Sequence, residues 1–219
     1  MGYALFWGVL YGLLHAVSRR IDGAITAFSM LGYTVALILW LGKKGWLPRL
    51  RLCLPTMVSP RSYLHLLPLL LFMIVNVAEQ GGWPSPSLAL VLMAGTVVTE
   101  EILFRGVLLR VFDGLLPCIR VLLSASIFSL FHLVNAIGQA DSLLVLYSLL
   151  YAFAAGVLFA ATTIYFDSLI PAAVGHYLAN VTAPTQGEHP SPIFLVVMAV
   201  CMLWGILLCR ALRRGTKGE

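Results

Sequence analysis

Apolar runs follow one another along almost the whole chain, separated by charged residues or by Pro/Gly clusters. Their approximate bounds are 3–17, 23–42, 63–79, 88–110, 119–136, 142–162, 166–182 and 192–209. A helix needs about 20 residues to cross the hydrocarbon core of a bilayer, and most of these runs approach that length. The pattern therefore predicts an all-α fold, a polytopic transmembrane helical bundle of about eight spans. The first run is short, so a tilted or partial helix is expected there.

The composition agrees with a membrane protein and excludes several other classes. Of the 219 residues, 60% are hydrophobic and only 11% are charged, whereas soluble globular domains carry about 25% charged residues. No stretch is both polar and repetitive, which argues against a disordered chain. The four cysteines show no CxxC spacing, so neither a disulfide scaffold nor a cysteine metal site is expected. We expect residues 1–219 to form a single integral-membrane domain, with the site-bearing helices within 88–182.

Basic segments predict the orientation of the chain. The loop between the second and third runs contains five basic residues and no acid: Lys43, Lys44, Arg49, Arg51 and Arg61. By the positive-inside rule this loop faces the cytoplasm. Counting crossings from there places the Arg110–Arg120 turn and the basic C-terminal tail on the same side, so both termini are predicted to be cytoplasmic. The pI near 9.2 therefore reflects membrane topology rather than nucleic-acid binding.

Three charged residues interrupt the fourth run, in the segment TVVTEEILFRGVLLR. On an α-helix Glu101 and Arg105 are i, i+4 neighbours and can form an ion pair. Glu100 lies about 100° further round the axis, over Phe104, and has no partner on its own helix. A carboxylate in such an apolar setting is suited to act as a general base. The alternative interpretation is structural, a buried ion pair that locks two helices together.

Two later runs carry histidines at helical spacing from other residues. Phe128 and His132 are i, i+4 neighbours in SIFSLFHLVN, and His176 and Asn180 have the same spacing in IPAAVGHYLANVTAP. Taken singly, His132 could simply form a hydrogen bond with a carbonyl or hydroxyl group. His176 and Asn180 could likewise form hydrogen bonds between helices that serve only packing. Taken with Glu100, these residues form a hydrolytic set. A glutamate and a histidine can hold and deprotonate water, while a histidine and an asparagine can stabilise an oxyanion.

The ordered motifs resemble those of the CAAX protease and bacteriocin-processing family (CPBP, also called Abi), which includes the Ras-converting CAAX endopeptidase. The family pattern consists of EExxxR, FxxxH and HxxxN/D, and this chain follows it in order without a departure. The matching positions are Glu100, Glu101 and Arg105, then Phe128 and His132, then His176 and Asn180. The resemblance therefore covers the second half of the chain, from Glu100 to Asn180.

The resemblance implies an all-helical intramembrane glutamate protease that cuts a membrane-associated protein or peptide. Glu100 and His132 would activate the water, and His176 with Asn180 would stabilise the oxyanion. Three further residues would support the site, two by positioning it and one by packing: Glu101, Arg105 and Phe128. The expected partners are a membrane-anchored or lipidated substrate and the lipid bilayer, with no nucleic acid. The expected location is a bacterial inner or cell membrane.

Some alternatives stay open at this point. No cofactor is expected, but Glu100, His132 and His176 could in principle form a zinc site with one carboxylate and two imidazoles. A non-catalytic membrane binding or immunity factor could use the same polar cavity. A proton-coupled transporter could use the intramembrane carboxylate and imidazoles as a relay, although the chain lacks the half-to-half symmetry of many transporters.

Overall fold

The computed structural model describes residues 6, 7, 9–11, 14, 23–55, 59–80, 88–133, 141–182 and 191–215. Every regular element within these ranges is helical, which confirms the predicted all-α bundle. The principal helices are α1 (Gly23–Lys43), α2 (Leu67–Gln80), α3 (Leu88–Glu101), α4 (Pro117–Phe131), α5 (Ser142–Phe166), α6 (Ile170–Val181) and α7 (Pro192–Gly215). Most of the first predicted span, 3–17, lies outside the described residues.

Some of the helices are long enough to be compared with the predicted membrane spans. Within the described ranges, three stretches are long and apolar enough to cross a bilayer: Pro60–Glu79, Ser142–Phe166 and Pro192–Leu212. The first of these begins as a 3₁₀-helix, Pro60–Leu66, and continues as α2. Shorter apolar helices lie at Phe28–Lys43 and Pro117–Phe131. The total of about eight spans stays a prediction.

Prolines and one aspartate mark where several helices begin. Pro117, Pro171 and Pro192 lie in the first turns of α4, α6 and α7, where a missing N–H costs no intrahelical hydrogen bond. Asp141 caps α5, because its carboxylate accepts a 2.8 Å hydrogen bond from the backbone N–H of Leu143. The predicted starts of the runs at 142 and 192 therefore agree with the helices.

The central helix α5 approaches α4 and α7 closely at two glycines. A Cβ atom placed on Gly156 would lie 3.1 Å from the Cα atom of Ala125. A Cβ atom placed on Gly205 would lie 2.8 Å from Cγ1 and 3.1 Å from the backbone oxygen of Val157. Small residues at helix crossings permit the close backbone approach by which transmembrane helices associate. These two glycines therefore set the spacing of the helices that surround α5.

We expect Gly205→Val to destabilise the bundle by about 1–3 kcal/mol, the usual cost of overpacking a well-packed core. The valine side chain would contact the backbone of Val157, and backbone atoms cannot move aside by a change of rotamer. Gly32→Val is the matched control, because nothing lies within 4 Å of a Cβ atom at Gly32. The measurement is the apparent melting temperature of each purified variant in detergent micelles. Equal melting temperatures would contradict the packing described for Gly205.

The basic loop and the Arg110–Arg120 turn lie at the same end of the bundle. Three ion pairs hold this end together: Arg51–Asp167, Arg110–Asp113 and Arg120–Asp113. The Arg110 side chain also donates a 2.9 Å hydrogen bond from Nε to the carbonyl oxygen of Arg49 in the loop. Near the C-terminus of α7, Cys209 makes a side-chain contact with Cys118 at the start of α4. The geometry thus agrees with one common side for the three basic segments, and their cytoplasmic location stays a prediction.

Candidate active site

The helix that carries the two glutamates changes its winding directly after them. Ile102–Leu108 form a π-helical segment, and Leu109–Val111 return to α-helix. The apolar pattern predicts only a regular helix over 88–110, so the structure corrects that prediction. Short π-helical turns within α-helices are frequently found at functional sites. The segment begins one residue after Glu101 and contains Arg105.

A leucine from the basic loop packs beside this π-helical segment. Leu50 is fully buried at the end of a 3₁₀ turn, Leu47–Leu50. Its Cδ2 atom lies 3.1 Å from the position that a Cβ atom on Gly106 would take. Because Gly106 has no side chain, the loop can approach the backbone of the π-helical segment. The basic loop is therefore in direct contact with the helix that carries the candidate site.

Glu101 and Arg105 form the buried ion pair that their spacing predicts. Nη1 of Arg105 lies 2.9 Å from Oε1 of Glu101, and the two side chains are 0% and 1% exposed. The same carboxylate oxygen lies 2.8 Å from Nδ1 of His176. A carboxylate paired with a guanidinium accepts hydrogen bonds, so Nδ1 is the donor. Glu101 thus joins α3 to α6, a contact that spacing along one helix does not predict.

Aromatic rings surround the rest of the Arg105 guanidinium. Its Cζ atom lies 4.1 Å from the ring centroid of Phe128 and 5.4 Å from that of Phe159. Within the described part of the chain, Nε and Nη2 have no hydrogen-bond acceptor. Cation–π contacts of this kind contribute about 2 kcal/mol when they are desolvated. Phe128 therefore packs against the site as the resemblance implies, whereas Phe159 lies in a uniformly apolar run and carries no sequence signal.

Glu100 meets two side chains from other helical segments. Its Oε2 atom lies 3.5 Å from Nε2 of His176. Its Oε1 atom accepts a hydrogen bond from the hydroxyl group of Tyr11. Tyr11 lies outside 88–182, the region to which the sequence analysis assigns the site-bearing helices. The sequence signal for it was available, because a tyrosine hydroxyl within an apolar run needs a hydrogen-bond partner.

His132 lies at the C-terminus of α4, immediately after the last residue of that helix. Its Nδ1 atom is 3.0 Å from the carbonyl oxygen of Phe128. Because a carbonyl oxygen only accepts, Nδ1 is the donor, and Nε2 of the neutral ring is left as an acceptor. The ring of Phe128 lies 4.6 Å from the imidazole of His132 and 5.7 Å from that of His176. His132 also lies close enough to Glu100 for the two side chains to interact electrostatically.

α4 ends earlier than the apolar run that predicts it. The run extends to 136, whereas the helix ends at Phe131 and the backbone N–H of His132 bonds to the carbonyl groups of Ser129 and Leu130. This tighter turn ends the regular α-helix and leaves His132 at its tip. Residues 134–140 lie outside the described ranges.

The structure brings together six of the seven residues that the sequence analysis selects. They are Glu100, Glu101, Arg105, Phe128, His132 and His176. Asn180 lies one turn beyond His176 on α6 and is half-buried. None of the contacts found among the described residues links its carboxamide to the other six. Its role therefore stays a prediction.

The zinc alternative requires Glu100, His132 and His176 to converge on one ion. Across the described ranges, no group of three or more His, Cys, Asp or Glu residues has an arrangement that could hold a metal ion. Nδ1 of His176 is already engaged by Glu101, so Nε2 is the ring atom that faces Glu100. Chelation, described below, is the experiment that decides between zinc and a metal-free site.

Fold and site together define a class of protein, an integral-membrane helical bundle with carboxylates, imidazoles and a guanidinium buried between its helices. The model of one family, "Type II CAAX prenyl endopeptidase Rce1-like", matches residues 82–182. The match over this segment confirms the resemblance to CAAX proteases that was inferred from the three motifs. The match contains all seven predicted site residues. No curated protein and no solved structure shows significant similarity to the chain.

The match to this family has a direct functional consequence. The family is one of endopeptidases, so the chain is assigned to membrane proteases in general terms. It also implies a substrate that is associated with the membrane and prenylated.

Proposed function

We propose that this protein is an intramembrane endopeptidase of the glutamate type, which hydrolyses a peptide bond of a prenylated, membrane-associated protein or peptide. Water activated by Glu100 and His132 would be the nucleophile. One observation carries the proposal: Glu100 and Glu101 both meet His176 within a buried cluster. Charged groups at this depth are costly and are retained mainly where they have a function.

The balance of charge in the cluster supports a donor role for His176. Two carboxylates and one guanidinium leave one net negative charge among Glu100, Glu101 and Arg105. The proposed role of His176, between the two carboxylates, is to donate from both ring nitrogens. Nδ1 donates to Glu101 at 2.8 Å, and Nε2 points toward Glu100 and the reacting groups. An oriented donor in a low-dielectric site stabilises an oxyanion strongly.

The proposed reaction uses each side chain for one task. His132 accepts a hydrogen bond from the water at Nε2, and Glu100 removes a proton as the water oxygen attacks the carbonyl carbon. The carbonyl oxygen becomes an oxyanion, which accepts hydrogen bonds from His176 and Asn180. Glu100 then returns the proton to the leaving nitrogen as the C–N bond breaks. The products are a carboxylic acid and an amine, which exchange a proton with the solvent to become a carboxylate and an ammonium group, and no covalent enzyme intermediate forms.

A cleavage assay with purified protein tests the proposal. The protein is reconstituted in liposomes with an internally quenched, farnesylated peptide that ends in a CAAX sequence. We expect a rise in fluorescence and one new carboxyl terminus by mass spectrometry. The same peptide without the farnesyl group is the control for substrate class, and we expect it to be cut much more slowly. No cleavage of the farnesylated peptide or of its geranylgeranylated counterpart would contradict the proposal.

Removal of metal separates glutamate-activated water from the zinc alternative. We expect 1,10-phenanthroline to leave turnover of the farnesylated peptide unchanged, because the proposed reaction needs no Lewis acid. The melting temperature, measured in parallel, shows whether the fold is intact during chelation. Loss of turnover that added Zn²⁺ restores would support the zinc site and contradict the metal-free mechanism.

A further inference from the structure

We propose that Tyr11 is a positioning residue of the active site, and that its hydroxyl group holds the Glu100 carboxylate for catalysis. This inference rests on the proposed function. Tyr11 lies in the N-terminal segment, outside residues 82–182 that match the family model. It is 4% exposed, and its hydroxyl donates to Oε1 of Glu100 across a sequence separation of 89 residues.

The position of Tyr11 is itself fixed by packing against α1. The ring centroids of Tyr11 and Tyr33 are 5.7 Å apart, and those of Tyr33 and Trp7 are 5.4 Å apart. The Tyr33 hydroxyl donates to the backbone oxygen of Trp7, which ties the N-terminal segment to α1. Tyr11 also belongs to the same buried cluster as Phe104 of the π-helical segment. The hydroxyl is therefore presented to Glu100 by a packed ring.

The two oxygens of Glu100 thereby acquire different surroundings. Oε1 is engaged by Tyr11, whereas Oε2 lies 3.5 Å from Nε2 of His176. A glutamate side chain has three rotatable bonds, and a hydrogen bond at one oxygen restricts the direction in which the other points. Fixing a reacting group in its productive orientation is a major source of rate enhancement. Tyr11 would thus keep Oε2 directed at the water that Glu100 deprotonates.

The hydrogen bond also has a chemical effect on Glu100. A donor to a carboxylate stabilises its ionised form, which is the form that acts as a base. The other charged or titratable groups that face Glu100 are Glu101, Arg105, His132 and His176. None of them changes when only the Tyr11 hydroxyl is removed. A change in turnover would therefore report on that hydroxyl.

Tyr11→Phe is the test variant, because it keeps the packed ring and removes only the donor. Tyr165→Phe is the matched control, since the Tyr165 hydroxyl donates to Ser62 at 3.2 Å rather than to Glu100. With the farnesylated peptide, we expect Tyr11→Phe to lower kcat by about 10- to 100-fold, the equivalent of one hydrogen bond to a charged group. We expect KM to change less than about twofold, because the hydroxyl does not hold the substrate.

A second measurement reports on the hydrogen bond without any substrate. Infrared difference spectra of wild-type protein and Glu100→Gln identify the carboxylate band of Glu100. We expect that band to shift in Tyr11→Phe and to stay in place in Tyr165→Phe. An unshifted band with unchanged kcat in Tyr11→Phe would overturn the inference, while loss of turnover in Glu100→Gln would still support the proposed function. Full turnover in Glu100→Gln would overturn both.

Discussion

Replacing Glu100 by glutamine is expected to lower kcat by about 10²- to 10⁴-fold, the usual contribution of a general base. Glutamine has nearly the same shape, and its amide oxygen can still accept the hydrogen bond from Tyr11. It cannot accept a proton from water, so the activation step is lost. We expect the fold to persist, because Glu101 and Arg105 keep their ion pair in this variant. The measurement is turnover of the farnesylated peptide together with the melting temperature.

Glu79→Gln is the matched control for this prediction. Glu79 is an exposed glutamate near the C-terminus of α2, where its carboxylate accepts a hydrogen bond from Ser191. The same chemical change at this position should leave kcat close to the wild-type value. Wild-type turnover in Glu100→Gln would show that Glu100 is not the base. Equal losses in both variants would show that the effect does not arise in the cluster.

Replacing Arg105 by methionine is expected to destabilise the protein by about 3–5 kcal/mol, the usual effect of breaking a buried ion pair from one side. Glu101 would keep its contact with His176 but lose its guanidinium partner. The cation–π contacts with Phe128 would be lost as well. We expect a low yield from membranes and a lowered melting temperature. The effect should exceed that of Gly205→Val.

Two variants decide whether the charge of Glu101 causes this loss. The double variant Glu101→Gln/Arg105→Met has no uncompensated carboxylate at this position, so it should regain much of the stability. Arg110→Met is the control at a partly exposed ion pair, where Arg110 and Asp113 side chains are 31% and 42% exposed. Ion pairs that are exposed to solvent contribute about 0–1 kcal/mol to the free energy of unfolding. Equal melting temperatures for Arg105→Met and Arg110→Met would contradict the importance of the buried pair.

Contacts within one helix are the part of the site that the sequence predicts well. Glu101 and Arg105 are four residues apart, and the helical period alone places them side by side. Phe128 and His132 have the same spacing, and the structure shows their rings in contact. The family motifs add the residues on α6, because they identify a set that is used together. The apolar runs likewise predict the helical fold and most helix starts, which depend on local sequence.

Contacts between helices are the part that the sequence does not predict. The hydrogen bond from His176 to Glu101 joins residues 75 positions apart, and that from Tyr11 to Glu100 joins residues 89 apart. Neither follows from a helical period, since both depend on how complete helices pack. The π-helical segment also contains a contact between distant parts of the chain, because Leu50 from the basic loop packs against Gly106. These three features determine the surroundings of both glutamates.

The central claim is that this protein cuts a membrane-associated substrate by means of Glu100. Its most direct test compares the membrane proteomes of cells that express wild-type protein or Glu100→Gln at matched levels. Peptide termini are scored by mass spectrometry after selective labelling. We expect new termini from prenylated or otherwise membrane-associated proteins with the wild type and none with the variant. Identical termini in both samples, with the cellular function retained by Glu100→Gln, would contradict proteolysis and favour a non-catalytic binding factor.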